Sequence, residues 1–177
     1  MEQFLFNNHK GQTILEVVVA LGAGIIVLSA MTIAVVTALN NASQATAESQ
    51  ATQFAQQGIE IVRSMRNTDY ATLSTLSGDY CMAASCSALT TQTGTCGFKT
   101  TSCGTNINNK FIREVSVTQN SSTCLVPGVT PAPGSKQTEV TMTVSWSDSK
   151  CRDEDNRYCH NVSIDTCLSN YTGRTAP

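Results

Sequence analysis

Few residues in this chain have chemistry to offer. Eight cysteines (Cys81, Cys86, Cys96, Cys103, Cys124, Cys151, Cys159 and Cys167) all follow residue 80. Glu16 is a lone carboxylate inside KGQTILEVVVALGAGIIVL, residues 10–28. Two histidines, His9 and His160, and the acidic run Asp153-Glu154-Asp155 complete the set. An even number of cysteines in a small domain reads as a disulfide framework made in an oxidising compartment. Eight cysteines allow about 105 pairings, and spacing does not choose among them. A zinc site would announce itself by paired short knuckles or a following His pair. Here the closest spacing, Cys81 to Cys86, has no second knuckle after it, so no metal and no other cofactor is expected.

No catalytic constellation emerges. His160 stands beside Cys159 without a nucleophile-and-base pattern and reads as an ordinary surface or strand-edge residue. The acidic run lacks the regular spacing and the glycine of a calcium loop, so a solvated charged turn is expected there. There is no phosphate-cradling glycine loop and no basic aromatic patch, and a formal net charge of −2 makes no case for nucleic acid. The Asn120-Ser121-Ser122 triplet is common by chance. The expectation is a protein that is not an enzyme.

What must position Glu16 is the apolar run itself. Val17 to Leu39 carries no charge, and at 1.5 Å per residue a helix of that length covers about 35 Å, enough to span a bilayer. A carboxylate inside such a segment costs roughly 2.5–3.5 kcal/mol and is a functional hypothesis until a partner is found. Lys10 and His9 precede the run and no Lys or Arg follows before Arg63, which puts the N-terminal side in the cytoplasm. The cysteines independently put the rest outside. A secretory signal peptide, with Ala45-Thr46-Ala47 as its site, is disfavoured because the run is far longer than the usual 7–15 residues. A plain uncleaved anchor explains the length but gives no reason for Glu16.

Gly11-Gln12-Thr13-Ile14-Leu15-Glu16 resembles the processing site of the type IV pilin and pseudopilin family. In that family a short leader ends in Gly, a membrane peptidase cuts after it and methylates the new amine, and the fifth mature residue is Glu. The resemblance implies a cut between Gly11 and Gln12, with Gln12 taking the place usually held by Phe. It implies that Glu16 pairs in a filament with the terminal amine of a neighbouring subunit. It extends over roughly residues 5 to 75, and GIEIVRSMRNTDYATL is similar to the helix end of minor pilins and minor pseudopilins. The implied partners are a prepilin peptidase, other pilin subunits in a homo- or hetero-polymer, the pilus assembly machinery, and the membrane before assembly. The implied location is the cytoplasmic membrane first and an extracellular filament afterwards. A pseudopilin of a type II secretion system and an anchored binding module that never polymerises are the competing expectations.

The domain boundaries follow: a leader at 1–11, a transmembrane and filament-core helix at 12–40, an amphipathic half at 41–68, and a cysteine-rich head at 69–177. One helix is expected from about Ile14 to about Arg66, with Ala47, Ala51, Phe54, Gly58, Ile61, Val62 and Met65 on its buried face. Asn67-Thr68-Asp69 ends it. Its weak points, in the absence of any proline before Pro127, would be Gly22–Gly24 or Ser29–Thr32. Residues 139–146 alternate cleanly, with Val140, Met142, Val144 and Trp146 on one side, and predict a half-buried strand. Residues 111–117, with Phe111, Val115 and Val117 on one face, and residues 161–168 predict two more. Residues 71–110 look irregular. The expected fold class is α+β, a long helix packed against a small antiparallel sheet stapled by disulfides.

Overall fold

One helix, α1, runs without interruption from Gln12 to Thr68. The computed structural model describes residues 12–124, 137–148, 151 and 158–169. No proline falls within α1, and its polar half is rich in alanine and glutamine, which favour helix. It begins two residues before the expected Ile14 and ends two after Arg66. Gly22–Gly24 and Ser29–Thr32 do not break it. At its end Asp69 donates its backbone N–H to the Met65 carbonyl at 2.8 Å. The Asp69 side chain then caps a single-turn helix, α2 (Tyr70–Leu73), by accepting from the Thr72 N–H at 3.2 Å. The chain divides between Thr46 and Ala47 into two units.

Among its described residues the first unit is helix alone, and from Thr13 to Ser43 every side chain is exposed. Among the described residues this is the one helix long and apolar enough to cross a membrane, with mean hydropathy reaching 2.5 and none of that stretch buried.

The second unit is built on a six-stranded sheet. Its strands are β1 (Gly78–Cys81), β2 (Thr90–Thr93), β3 (Gly97–Phe98), β4 (Phe111–Gln119), β5 (Gln137–Trp146) and β6 (His160–Ser169), in the spatial order β2-β3-β1-β4-β5-β6. The expected all-antiparallel sheet is corrected in one place: β2 and β3 are parallel. Three residues separate them, far too few for an ordinary parallel crossover. The pairing is a local doubling of the chain, with a register shift between Thr90 and Thr93; β2 lies within the loop closed by Cys86–Cys96 and β3 follows it directly. Residues 71–110 are therefore not irregular throughout. They hold α2 and three short strands whose shortness hides them from periodicity.

The three long strands pair as a meander. Phe111 lies opposite Trp146, Val115 opposite Met142 and Val117 opposite Val140; Val144 lies opposite Val162. These residues make the face that α1 covers. From the helix, Ala47, Ala51, Ala55, Ile59 and Val62 are buried, a four-residue spacing of mostly small side chains that lets the helix lie close to the sheet. The expected stripe is thus shifted: Ala55 and Ile59 are central, while Phe54, Ile61 and Met65 pack at its margins. The closest approach is at Gly58, where a Cβ would sit 2.7 Å from Met142 Cε and 3.2 Å from Arg113 Cδ. β4 is introduced by a turn with Asn108 and Asn109 at φ of 51° and 52°, a region asparagine tolerates better than most residues.

Four disulfides bind this unit: Cys81–Cys103, Cys86–Cys96, Cys124–Cys167 and Cys151–Cys159. Together they account for all eight cysteines. Cys81–Cys103 and Cys86–Cys96 hold the short-strand region. Cys124–Cys167 ties the single 3-10 turn at Ser122–Cys124 to the edge strand β6.

Candidate functional site

Gln12 is the first residue of α1 and Glu16 lies one turn further on. Gly11, the other processing residue expected from the sequence, lies outside the described residues. Glu16 is exposed, and from Gln12 to Ala47 it is the sole charged side chain. Three hydroxyls in the apolar part of the same stretch are turned inward on the helix backbone. Ser29 donates to the Ile25 carbonyl at 2.8 Å, Thr32 to Leu28 at 2.9 Å and Thr37 to Ile33 at 2.9 Å. Each satisfies itself one turn back, so none needs water. Added side chains at Gly22 and Gly24 would meet nothing within 4 Å. The result is a lipid-compatible surface of Ile, Leu, Val, Met and Ala carrying one carboxylate near its start.

In the second unit the residue that sequence reading missed is Arg113. It is fully buried. Its Nε donates to the Met82 carbonyl at 2.9 Å. One terminal nitrogen reaches the Phe54 carbonyl of α1 at 2.9 Å and Gln57 Oε1 at 3.2 Å, and the other reaches the Ala83 carbonyl at 2.9 Å. Its own backbone is held by Asn106, whose Oδ1 accepts from the Arg113 N–H at 2.8 Å and whose Nδ2 donates to its carbonyl at 2.9 Å. One guanidinium thus joins α1, the chain after β1 and strand β4. Desolvation lowers its pKa from the ordinary value to about 10. The signal was present: Arg113 has the parity of Phe111, Val115 and Val117, but arginine is ordinarily read as a surface residue.

His160 takes the strand-edge place expected of it, on β6. It is half-buried there, and its ring stacks on Trp146, centroids 5.5 Å apart. Its Nε2 is 3.0 Å from Asp148 Oδ2. The acidic run Asp153-Glu154-Asp155 lies outside the described residues. Asn120 sits at φ 56° in the turn after β4. Beside it the hydroxyl of Ser121 donates to the Glu139 carboxylate at 2.5 Å. That bond, with a second from Thr123, holds the Glu139 carboxyl below its usual range.

A cleft of about 330 Å³ lies where α1 ends, lined by Met65, Asp69, Thr72 and Leu89 among others. Leu89 closes it, with its backbone N–H 3.2 Å from Met65 Sδ. Asp69 is already committed to capping α2, so this cleft offers no free acid for chemistry.

The chain matches no protein-family model, and no curated protein or solved structure is significantly similar to it.

Proposed function

We propose that this protein is a structural subunit of a type IV pilus-like filament, made as a prepilin, cut after Gly11, stored in the membrane and assembled through α1. The observation that carries the reading is Glu16, a single exposed carboxylate one turn from Gln12 on an otherwise lipid-compatible helix. A cut after Gly11 would create a cationic amine at Gln12. Glu16 of one subunit would then meet the amine of the next. Two unit charges 4 Å apart at an effective dielectric near 20 attract by about 4 kcal/mol before desolvation is subtracted. The pairing acts mainly by selection: an unpaired carboxylate is unfavourable in hydrocarbon, and a paired one in a filament core is tolerated. The disulfide-bound second unit is the head such a filament would display outside the cell.

The test separates processing from assembly. Gly11→Ala should leave the precursor uncut. Glu16→Ala should be cut normally but recovered poorly in sheared filaments. Filaments of Glu16→Ala at wild-type abundance would remove the reading's support.

A further inference from the structure

The cleft at the carbonyl end of α1 is lined by three polar side chains whose own donors are already spent or absent: Thr68, Asp69 and Thr72. Thr68 gives its hydroxyl hydrogen to the Ser64 carbonyl at 3.0 Å, and Thr72 gives its own to the Asp69 carboxylate. Each hydroxyl oxygen keeps lone pairs and can now only accept. Asp69 accepts from the Thr72 hydroxyl and, at 3.2 Å, from the Thr72 N–H, and these bonds hold its carboxyl below the usual range. An ionised carboxylate has about four acceptor positions, so Asp69 can accept more. Among the described residues lining the cleft there is no Lys, Arg, His or Trp.

The local field agrees with this lining. The C-terminal end of a helix favours a cation. The helix's own cations point elsewhere: at roughly 100° per residue, Arg63 and Arg66 lie about 150° around the axis from the middle of Ser64, Met65 and Thr68. Both are engaged there, Arg63 with Glu60 and Arg66 with Asn67 Oδ1 at 2.8 Å. The rest of the lining is largely apolar. Leu89 is buried, Met65 is half-buried with its Sδ held by the Leu89 N–H, and Ala88 lies beside them.

We propose that this cleft binds a primary ammonium group on an unbranched aliphatic stem, as in a free alkylamine or a lysine side chain. The three N–H donors of the ammonium match the three acceptors Thr68, Asp69 and Thr72, and the stem lies over Met65, Ala88 and Leu89. At about 30 Å³ per water, the 330 Å³ of the cleft is the room of roughly eleven waters, enough for a stem of four or five carbons and its ammonium. The site belongs to the second unit and is independent of the filament reading.

The experiment titrates the full chain, labelled with carbon-13 at its methionine methyls and held in a non-ionic detergent, with butylammonium at constant ionic strength. Expected are a saturable shift of the Met65 methyl and the Leu89 amide, and nuclear Overhauser contacts between the butyl chain and the Met65 methyl. Butyltrimethylammonium, with the same stem and charge but no N–H, should bind at least tenfold more weakly. Asp69→Asn keeps a side chain that caps α2 and should weaken butylammonium at least tenfold, while Asp79→Asn, outside the cleft, should not. Nα-acetyl-lysine amide is the second arm: tighter binding than butylammonium assigns the ligand to a lysine side chain, weaker binding to a free amine, and either supports the proposal. Equal binding of butylammonium and butyltrimethylammonium, unchanged affinity in Asp69→Asn, or no Met65 shift in the wild-type chain, a readout that needs no variant to fold, would overturn it.

Discussion

Replacing Arg113 by methionine removes the cation that joins α1 to the sheet and keeps most of its volume. Three of its bonds run to backbone carbonyls at 2.9 Å. Charge-assisted bonds contribute about 1.5–3 kcal/mol each, or roughly 4.5–9 kcal/mol in all. The losses are not equal. The Phe54 carbonyl keeps its helix partner, and the Ala83 carbonyl still accepts from the Cys86 N–H at 3.1 Å, so Met82 is left worst off. Against this stands the cost of the buried charge. Lowering the pKa from its ordinary value to about 10 corresponds to roughly 3 kcal/mol at about 1.4 kcal/mol per unit. The difference is about 1–6 kcal/mol, centred near 3, a large part of a typical domain's stability. Below pH 10 the group is charged in both the folded and unfolded states, so the cost is constant through neutral pH. It is relieved only as pH rises above 10. Guanidinium unfolding of the full chain in detergent, followed by the buried Trp146, measures the change. A variant as stable as the wild type would refute the view that Arg113 holds α1 on the sheet.

Two further outcomes follow from the same structure. On the chain-entropy account, removing Cys124–Cys167, with a sequence separation of 43, costs about 4 kcal/mol, and removing Cys151–Cys159, with a separation of 8, about 2.5 kcal/mol. Double alanine variants compared by the same unfolding assay should keep that order, and equal losses would contradict it. The Glu139 carboxyl, with its pKa depressed by Ser121 and Thr123, should titrate below the ordinary 4.5. Its contribution is present above pH 4.5 and lost as pH falls through the folded value. Carboxyl NMR shifts report this directly, and Ser121→Ala should return the titration towards 4.5; a wild-type Glu139 titrating at or above 4.5 would be the contrary result.

The parts of the fold legible in the sequence are those where one face is buried over a long stretch. β5 was readable from Val140, Met142, Val144 and Trp146 because alternation through residues 139–146 has no other cheap explanation, and the structure extends the strand back to Gln137. α1 was readable from its length and lack of breakers. The region from Tyr70 to Phe98 was not, because strands of two to four residues such as Thr90–Thr93, all exposed, carry no period. There Leu73, Leu76, Tyr80, Met82 and Leu89 are buried without a regular period, and the disulfides act beside them; the cysteine pairing is a three-dimensional fact that spacing does not encode. Arg113 was hidden for a different reason: its parity with Phe111 and Val115 marked the buried face, but the carbonyls of Phe54, Met82 and Ala83 that make its burial tolerable come from distant parts of the chain. The buried face runs through Ala51, Ala55, Ile59 and Val62 rather than Phe54 and Ile61, with the small residues Ala51, Ala55 and Gly58 letting the helix lie close to the sheet. Glu16 was conspicuous in the sequence for the same reason it stands out in the structure, as the one charge between Gln12 and Ala47 on a surface otherwise suited to lipid.

The most direct test of the central claim is the intact mass of the mature protein recovered from its native membrane and from sheared surface material. The account predicts a chain that begins at Gln12, carries one added methyl group on its terminal amine, and is found in filaments. A mature chain that still begins at Met1 and occurs only as dispersed molecules would contradict it.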